Sequence, residues 1–218
     1  MTKHGRKAEA ERNDAALLRA AREVLAVEGA HASVAAIAAR AGVGIGSLYR
    51  RYRTKEELFQ RLCVIALDDY LRAAEEGLAD EDPWEGLAHY IRTAIEIGPG
   101  SLAPLAGMIE ITEEMADKNA RSDEAVAALV ERAHRAGVLR PDVTMVDLAL
   151  LIEQLAKSPL LDQLGTQGRT DLIEAARDAR ARINAIALDG LRATAAHPLP
   201  GEPPSYALFS ERWERQPR

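Results

Sequence analysis

Gly42-Val43-Gly44-Ile45-Gly46-Ser47-Leu48-Tyr49-Arg50-Arg51-Tyr52-Arg53-Thr54-Lys55 joins a glycine-rich turn, one short helical pattern and a cluster of basic side chains. Upstream, Ser33 is placed to cap a helix over Val34 to Ala41, in which Val34, Ile37 and Ala41 share one face at three- and four-residue spacing. A glycine accepts the positive φ that follows a helix end, so Gly42 lets the chain turn sharply and start a second helix near Gly44 or Ile45. Two short helices joined in this way form a helix-turn-helix, with the second free to enter a DNA major groove. Within that second helix Leu48 and Tyr52 are four apart and face inward, which leaves Ser47, Arg50 and Arg51 outside. The pattern predicts a DNA-recognition helix.

The charge distribution matches. The 218 residues carry a formal charge of −6, yet residues 1–60 hold 11 Lys and Arg against 7 Asp and Glu, while the remainder hold 17 against 27. Only the N-terminal part suits a polyanion, although an ordinary solvated surface produces the same split. The length fits one DNA-binding module plus one further domain with a sizeable core. The lone cysteine, Cys63, excludes an intramolecular disulfide and fits a cytoplasmic setting. Met1 to Arg12 lack the apolar stretch of a signal peptide and no apolar run approaches a membrane span, so no membrane partner is expected.

Helical signals run along nearly the whole chain. Asn13 or Asp14 is expected to cap a first helix with Leu17, Leu18, Ala21, Val24 and Leu25 inward and Gly29 at its end. Thr54, with Glu57 three residues later, reads as a capping box that opens a long helix to about Gly77. Asp82-Pro83-Trp84-Glu85 starts another that runs to Gly98. Ser101 and Ser122 are candidate caps for two more, the first reaching about Lys118 and the second ending near Gly137. Thr144 caps the next, which stops near Ser158 ahead of Pro159, and a last helix spans roughly Thr170 to Thr194. Strand-type alternation is missing, so the chain reads as all-α. Its expected divisions are residues 1–54, 55–195 and a Pro-rich tail over 196–218. That tail holds five of the ten prolines. Tyr206, Leu208, Phe209 and Trp213 suit a segment that folds back on the body or on a partner, and a disordered end is the alternative.

The run from Val34 to Phe59 resembles the N-terminal domain of the tetracycline-repressor (TetR) family of transcription regulators. Ser33, Ile37, Ala38, Ala41, Gly42, Val43, Leu48, Tyr49, Tyr52 and Lys55 occupy the places of that family's pattern. The chain departs at Gly44, where Ser or Thr is usual as the cap of the recognition helix; Gly still caps acceptably and one phosphate contact is weakened. The resemblance implies a three-helix DNA-binding domain followed by a helical domain that encloses a ligand and forms a dimer.

Side-chain roles follow from the chemistry together with that resemblance. Gly44 opens the recognition helix. Ile45, Gly46, Ser47 and Arg50 are the candidates for base contact: Ile45 against a thymine methyl, Ser47 to either base type, Arg50 to a guanine edge. Tyr49, Arg51, Arg53, Lys55 and the Ser33 hydroxyl are better placed for phosphates, with Arg40 and the arm residues Lys3, Arg6, Lys7 and Arg12 adding nonspecific contacts. For the ligand, Trp84, Tyr90, Met108, Ile109, Ile111 and Met115 are candidate lining residues, although such a stripe is more often plain core.

Two apolar faces suit self-association. One carries Leu148, Leu151, Ile152 and Leu155 on the helix from Thr144; the other carries Ile183, Ile186, Ala187, Gly190 and Leu191 on the last helix. They pair across a two-fold axis into a four-helix bundle, or pack within one subunit; the resemblance favours the first. A two-fold dimer presents two recognition helices about one helical turn apart and so predicts a roughly palindromic operator in double-stranded DNA.

Catalytic and metal chemistry find no support. The histidines are scattered, no HxxxH or CxxC spacing occurs, and the glycines of 42–46 follow no strand and precede no Gly-Lys-Ser/Thr. No enzyme, metal or cofactor is expected. The sequence points to a homodimeric, small-molecule-responsive repressor, with a ligand-independent architectural or adaptor DNA-binding protein as the alternative.

Overall fold

Helix α1 (Lys3–Glu28) begins well before the expected caps. The computed structural model describes residues 3–98, 105–194 and 197–211. Residues 6–12 consist of Arg, Lys, Ala and Glu, strong helix formers that carry the helix N-terminally past Asn13 and Asp14. Those two residues are therefore interior, and the Asp14 carboxylate has another use described below. Leu17, Ala20, Ala21, Val24 and Leu25 form its buried face. Gly29, at φ 59°, ends the α-helix in a 3₁₀ turn over Gly29–His31.

Local signals fix the next two helices. Ser33 caps α2 (Val34–Ala41) through its hydroxyl, which accepts from the Ala36 N–H at 3.0 Å. Gly42 takes φ 68°, and Val43 N–H donates back to the Ala38 carbonyl. Helix α3 (Ile45–Arg51) follows from an extended Gly44. Thr54 then opens α4 (Lys55–Ala79), its hydroxyl accepting from the Glu57 N–H, while the Glu57 carboxylate reaches back to the Arg53 N–H.

Helix α5 (Pro83–Ile97) starts with Asp82 accepting from the N–H groups of Trp84 and Glu85. Helix α6 (Glu113–Arg135) is continuous, contrary to expectation: Ser122 is buried inside it, and its first turn is capped by the Thr112 hydroxyl, which accepts from Met115 N–H. Ser101 lies outside the described residues. Helix α7 (Met145–Ala156) has a reciprocal Thr144–Asp147 capping box. Pro159 does more than stop α7, since it occupies the first position of α8 (Pro159–Thr166), where a missing N–H costs nothing. A 3₁₀ turn over Thr170–Leu172 leads into α9 (Ile173–Gly190), and α10 (Tyr206–Ser210) is a single short turn in the tail.

These elements form two compact units, and the division between them falls within α4. The first contains residues 3–67 and 105–118, the second 68–98 and most of the chain from 119 onward. In the first unit, Leu17, Leu25, Ile37, Leu48, Leu58 and Leu62 pack together with Leu105, Ile109 and Met115. Residues 105–115, assigned from sequence to the regulatory domain, thus contribute to the core beneath the helix-turn-helix.

The second unit packs Trp84, Leu87, Ile91, Ile95, Leu129, Leu139, Leu148, Ile152, Leu188 and Leu191. Helices α4 and α5 touch backbone to backbone at Gly77 and Gly86, where a Cβ on Gly86 would lie 2.1 Å from the Gly77 carbonyl oxygen. The tail folds back onto this unit: Arg140 donates to the His197 carbonyl at 2.6 Å, Leu199 N–H donates to Asp142 at 2.8 Å, and the Tyr206 hydroxyl donates to Asp123 at 2.7 Å. The Phe209 side chain and Trp213 lie outside the described residues.

Candidate DNA-binding site

Helix α3 has only seven residues, too few to hold a helix alone in water. Its shape depends on what it packs against. Leu48 is fully buried and Tyr52, just past the last turn, is buried at 4% exposure. The opposite side shows Gly44, Ile45, Gly46, Tyr49 and Arg50, all exposed, with Ser47 half-buried. An apolar Ile45 left 49% exposed on a DNA-sized helix is suited to a base methyl.

The basic residues around α3 are not equivalent. Arg50 and Arg53 are exposed. Arg40 is paired with Glu23 at 2.6 Å, both side chains well solvated. Arg51 forms a bidentate pair with Asp14 of α1, Nε to Oδ1 at 2.9 Å and Nη2 to Oδ2 at 3.1 Å. The Tyr52 hydroxyl donates to the same Oδ1 at 2.7 Å. Arg51 holds the Asp14 carboxyl below its ordinary value, while burial first and then Asp14 push the Tyr52 phenol up. Lys55 is half-buried, its ammonium 5.2 Å from the centroid of the Phe59 ring. The Ser33 hydroxyl accepts from the Ala36 N–H at the cap of α2, which leaves its own proton available to donate. Arg12 is exposed; the side chains of Lys3, Arg6 and Lys7 lie outside the described residues.

A model of bacterial regulatory proteins of the TetR family matches residues 17–62, and a model of the SbtR-like transcriptional regulator C-terminal domain matches residues 82–193, more than half of the chain. The chain belongs to the TetR family of transcriptional regulators. Solved TetR structures agree. LfrR from Mycobacterium smegmatis, solved in complex with proflavine, shares 26% identity at a TM-score of 0.60, over 87% of this chain and 98% of its own. A TetR regulator from Mycobacterium vanbaalenii shares 26% identity at 0.54, over 85% and 98%. SCO0520 from Streptomyces coelicolor shares 28% at 0.51, over 84% and 99%. Among the curated proteins none matches. TetR proteins are DNA-binding regulators and not enzymes.

The six residues expected to line a ligand site divide between the two units. Trp84 and Tyr90 are buried in the core of the second unit, Ile109 and Met115 in that of the first, and Met108 and Ile111 are exposed. Met108 is 57% exposed because it sits in a turn ahead of α6 and not on the inner face of a helix. The buried Tyr90 phenol is pushed up, chiefly by desolvation.

The two faces expected to associate also differ. Leu148 and Ile152 of α7, with Leu191 past the end of α9, are already buried in their own core, and Leu151 and Leu155 pack partly against it. On α9, Ile183 and Ile186 stand 56% and 68% exposed, with Ala187 half-buried and Gly190 exposed. Leu160 on α8, a helix the sequence reading did not anticipate, is also exposed.

Among the described residues no group of His, Cys, Asp and Glu is placed to hold a metal, and no helix is long and apolar enough to cross a membrane. Burial pushes the Cys63 thiol up to about 12, which favours its protonated form at neutral pH.

Proposed function

We propose that this TetR protein is a homodimeric repressor that reads a roughly palindromic operator in double-stranded DNA and is released by a small molecule. The observation that carries the reading is α3 itself: Leu48 and Tyr52 hold it from behind while Ile45, Gly46, Ser47 and Arg50 are presented together. Ile45, Ser47 and Arg50 take the bases. Gly44, Tyr49, Arg53, Lys55 and the Ser33 hydroxyl lie along the phosphates.

The dimer rests on α9. Ile183 and Ile186 are large apolar side chains left in water three residues apart, and a second copy of the same face covers them across a two-fold axis. The match to LfrR with its bound proflavine supports a small-molecule effector. Release follows from linkage. The ligand binds more tightly to a conformer in which α4 has shifted and the two α3 helices no longer meet the operator spacing, so ligand and DNA oppose each other. An effector whose affinity is the same with and without operator DNA would contradict this mechanism.

Selection of bound sequences from a random DNA pool, at two salt concentrations, tests the reading. A palindrome enriched at both salts is the expected result. Binding that enriches no sequence and vanishes at the higher salt would show a nonspecific, architectural binder.

A further inference from the structure

The Asp14–Arg51–Tyr52 cluster ties the first helix of the DNA-binding unit to the end of the recognition helix, 37 and 38 residues apart in sequence. We propose that Asp14 is a positioning residue for DNA reading: it withholds Arg51 from the phosphate backbone and uses it, with Tyr52, to fix the rotation of α3. The proposal rests on the DNA-reading function above and revises the role expected for Arg51 from sequence.

Three features of the geometry carry it. First, Leu48 and Tyr52 set how deeply α3 is seated, but apolar contacts are non-directional and leave rotation about the helix axis weakly determined. A planar guanidinium gripped by both oxygens of one carboxylate is directional, and its two bonds of 2.9 and 3.1 Å define an orientation. Second, both oxygens of Asp14 are engaged, with Oδ1 accepting from both Arg51 and Tyr52 and Oδ2 from Arg51. Its side chain is only 17% exposed, so a departing Arg51 leaves behind a poorly solvated carboxylate. Third, a phosphate offers Arg51 the same bidentate geometry that Asp14 already provides within the chain. Exchange then gains little and uncovers Asp14. Arg51 therefore adds no net positive charge toward DNA, despite standing beside Arg50.

The experiment measures binding of the full-length chain to a random-sequence duplex and to an enriched duplex across a salt series. Each phosphate contact contributes about 0.9 to the slope of log affinity against log salt, hence about 1.8 for a residue present in both subunits. Arg51→Ala is expected to leave the slope at the wild-type value while discrimination between the two duplexes falls about tenfold. Asp14→Asn keeps the side-chain shape and liberates Arg51. The slope on random duplex is expected to steepen by up to about 1.8, with tighter nonspecific binding at low salt. Loss of fold alone cannot produce that result. Tyr52→Phe keeps the ring in the core and is expected to lower discrimination a few-fold at unchanged slope.

A slope that drops by about 1.8 in Arg51→Ala, as in a Lys55→Ala control, would overturn the proposal and make Arg51 a phosphate contact. An unchanged slope in Asp14→Asn would overturn it as well. If the wild-type chain proved unselective, the operator reading would fall while the slopes on random duplex still decided the role of Arg51. No salt-dependent binding at all would overturn both.

Discussion

Arginines in the two units do opposite work. In the DNA-binding unit Arg50 and Arg53 stand in solvent and Arg40 and Arg51 meet carboxylates. In the second unit three arginines, Arg132, Arg140 and Arg180, turn toward backbone carbonyls, most of them at helix ends. Arg132 donates to the Leu78 carbonyl in the last turn of α4 and to the Asp80 carbonyl just past it, at 2.8 and 2.7 Å. Arg180 of α9 reaches the carbonyls of Ile95, Leu155 and Ala156, at the C-terminal ends of α5 and α7. Arg140 grips Asp142 and also reaches the carbonyls of Gly190 and His197. A helix leaves its last carbonyls without partners, and a buried guanidinium with five donors satisfies several at once. The lesson is that a count of positive residues measures affinity for DNA only after the internally committed ones are removed.

The contrast can be broken by substitution. The largest effect is expected at the closest packing of the second unit, where Gly86→Ala would force α4 and α5 apart against backbone and cost about 3 kcal/mol, read as a lowered urea midpoint. Next, Arg132→Met should cost about 2 kcal/mol of stability, because the carbonyls of Leu78 and Asp80 lose their charged donor. Arg50→Ala should behave in the reverse way. Its melting should stay within about 0.5 kcal/mol of wild type, and operator discrimination should fall by about 1–3 kcal/mol at one position of each half-site. If Arg132→Met and Arg50→Ala lost stability alike, the division of labour among the arginines would be wrong.

Legibility in the sequence followed the distance over which each signal acts. The Ser33 cap, the Gly42 turn and the Leu48–Tyr52 face are decided within a few residues, and the structure places all of them where the pattern did. The start of α1 was missed because a capping residue such as Asp14 can be overridden by helix formers upstream and put to use in tertiary bonding. Ser122 was misread for a related reason: a serine fits a helix interior when α6 buries it. Helix α8 was hidden by reading Pro159 only as a terminator. The arginine roles were out of reach, since Arg180 finds acceptors 24, 25 and 85 residues away. The two apolar faces were indistinguishable for the same reason: nothing local separates Leu148, which meets its own core, from Ile186, which stands exposed on this chain.

Smaller effects sharpen the comparison. Arg140 holds the Asp142 carboxyl well below its ordinary value of 3.8, with the Leu199 N–H adding to the effect. A carboxyl with a lowered folded value contributes stability that is complete above pH 3.8 and is lost as the pH falls below it toward the folded value. Limited acid proteolysis around Pro198 to Pro204 should therefore accelerate only below that pH in the wild-type chain, and at neutral pH already in Asp142→Asn. The smallest change is expected at Cys63, whose buried thiol should react slowly with iodoacetamide in the native chain and rapidly once urea has unfolded it.

The central claim is a two-fold reader: two copies joined through α9, each placing one α3 on a half-site. Sedimentation of the full-length chain on an enriched duplex tests it most directly, with Ile183→Glu/Ile186→Glu as the partner measurement. Two chains per duplex for the wild type, and a monomer that no longer discriminates among sequences for the double variant, are the expected results. One chain per duplex with undiminished sequence preference would contradict the account.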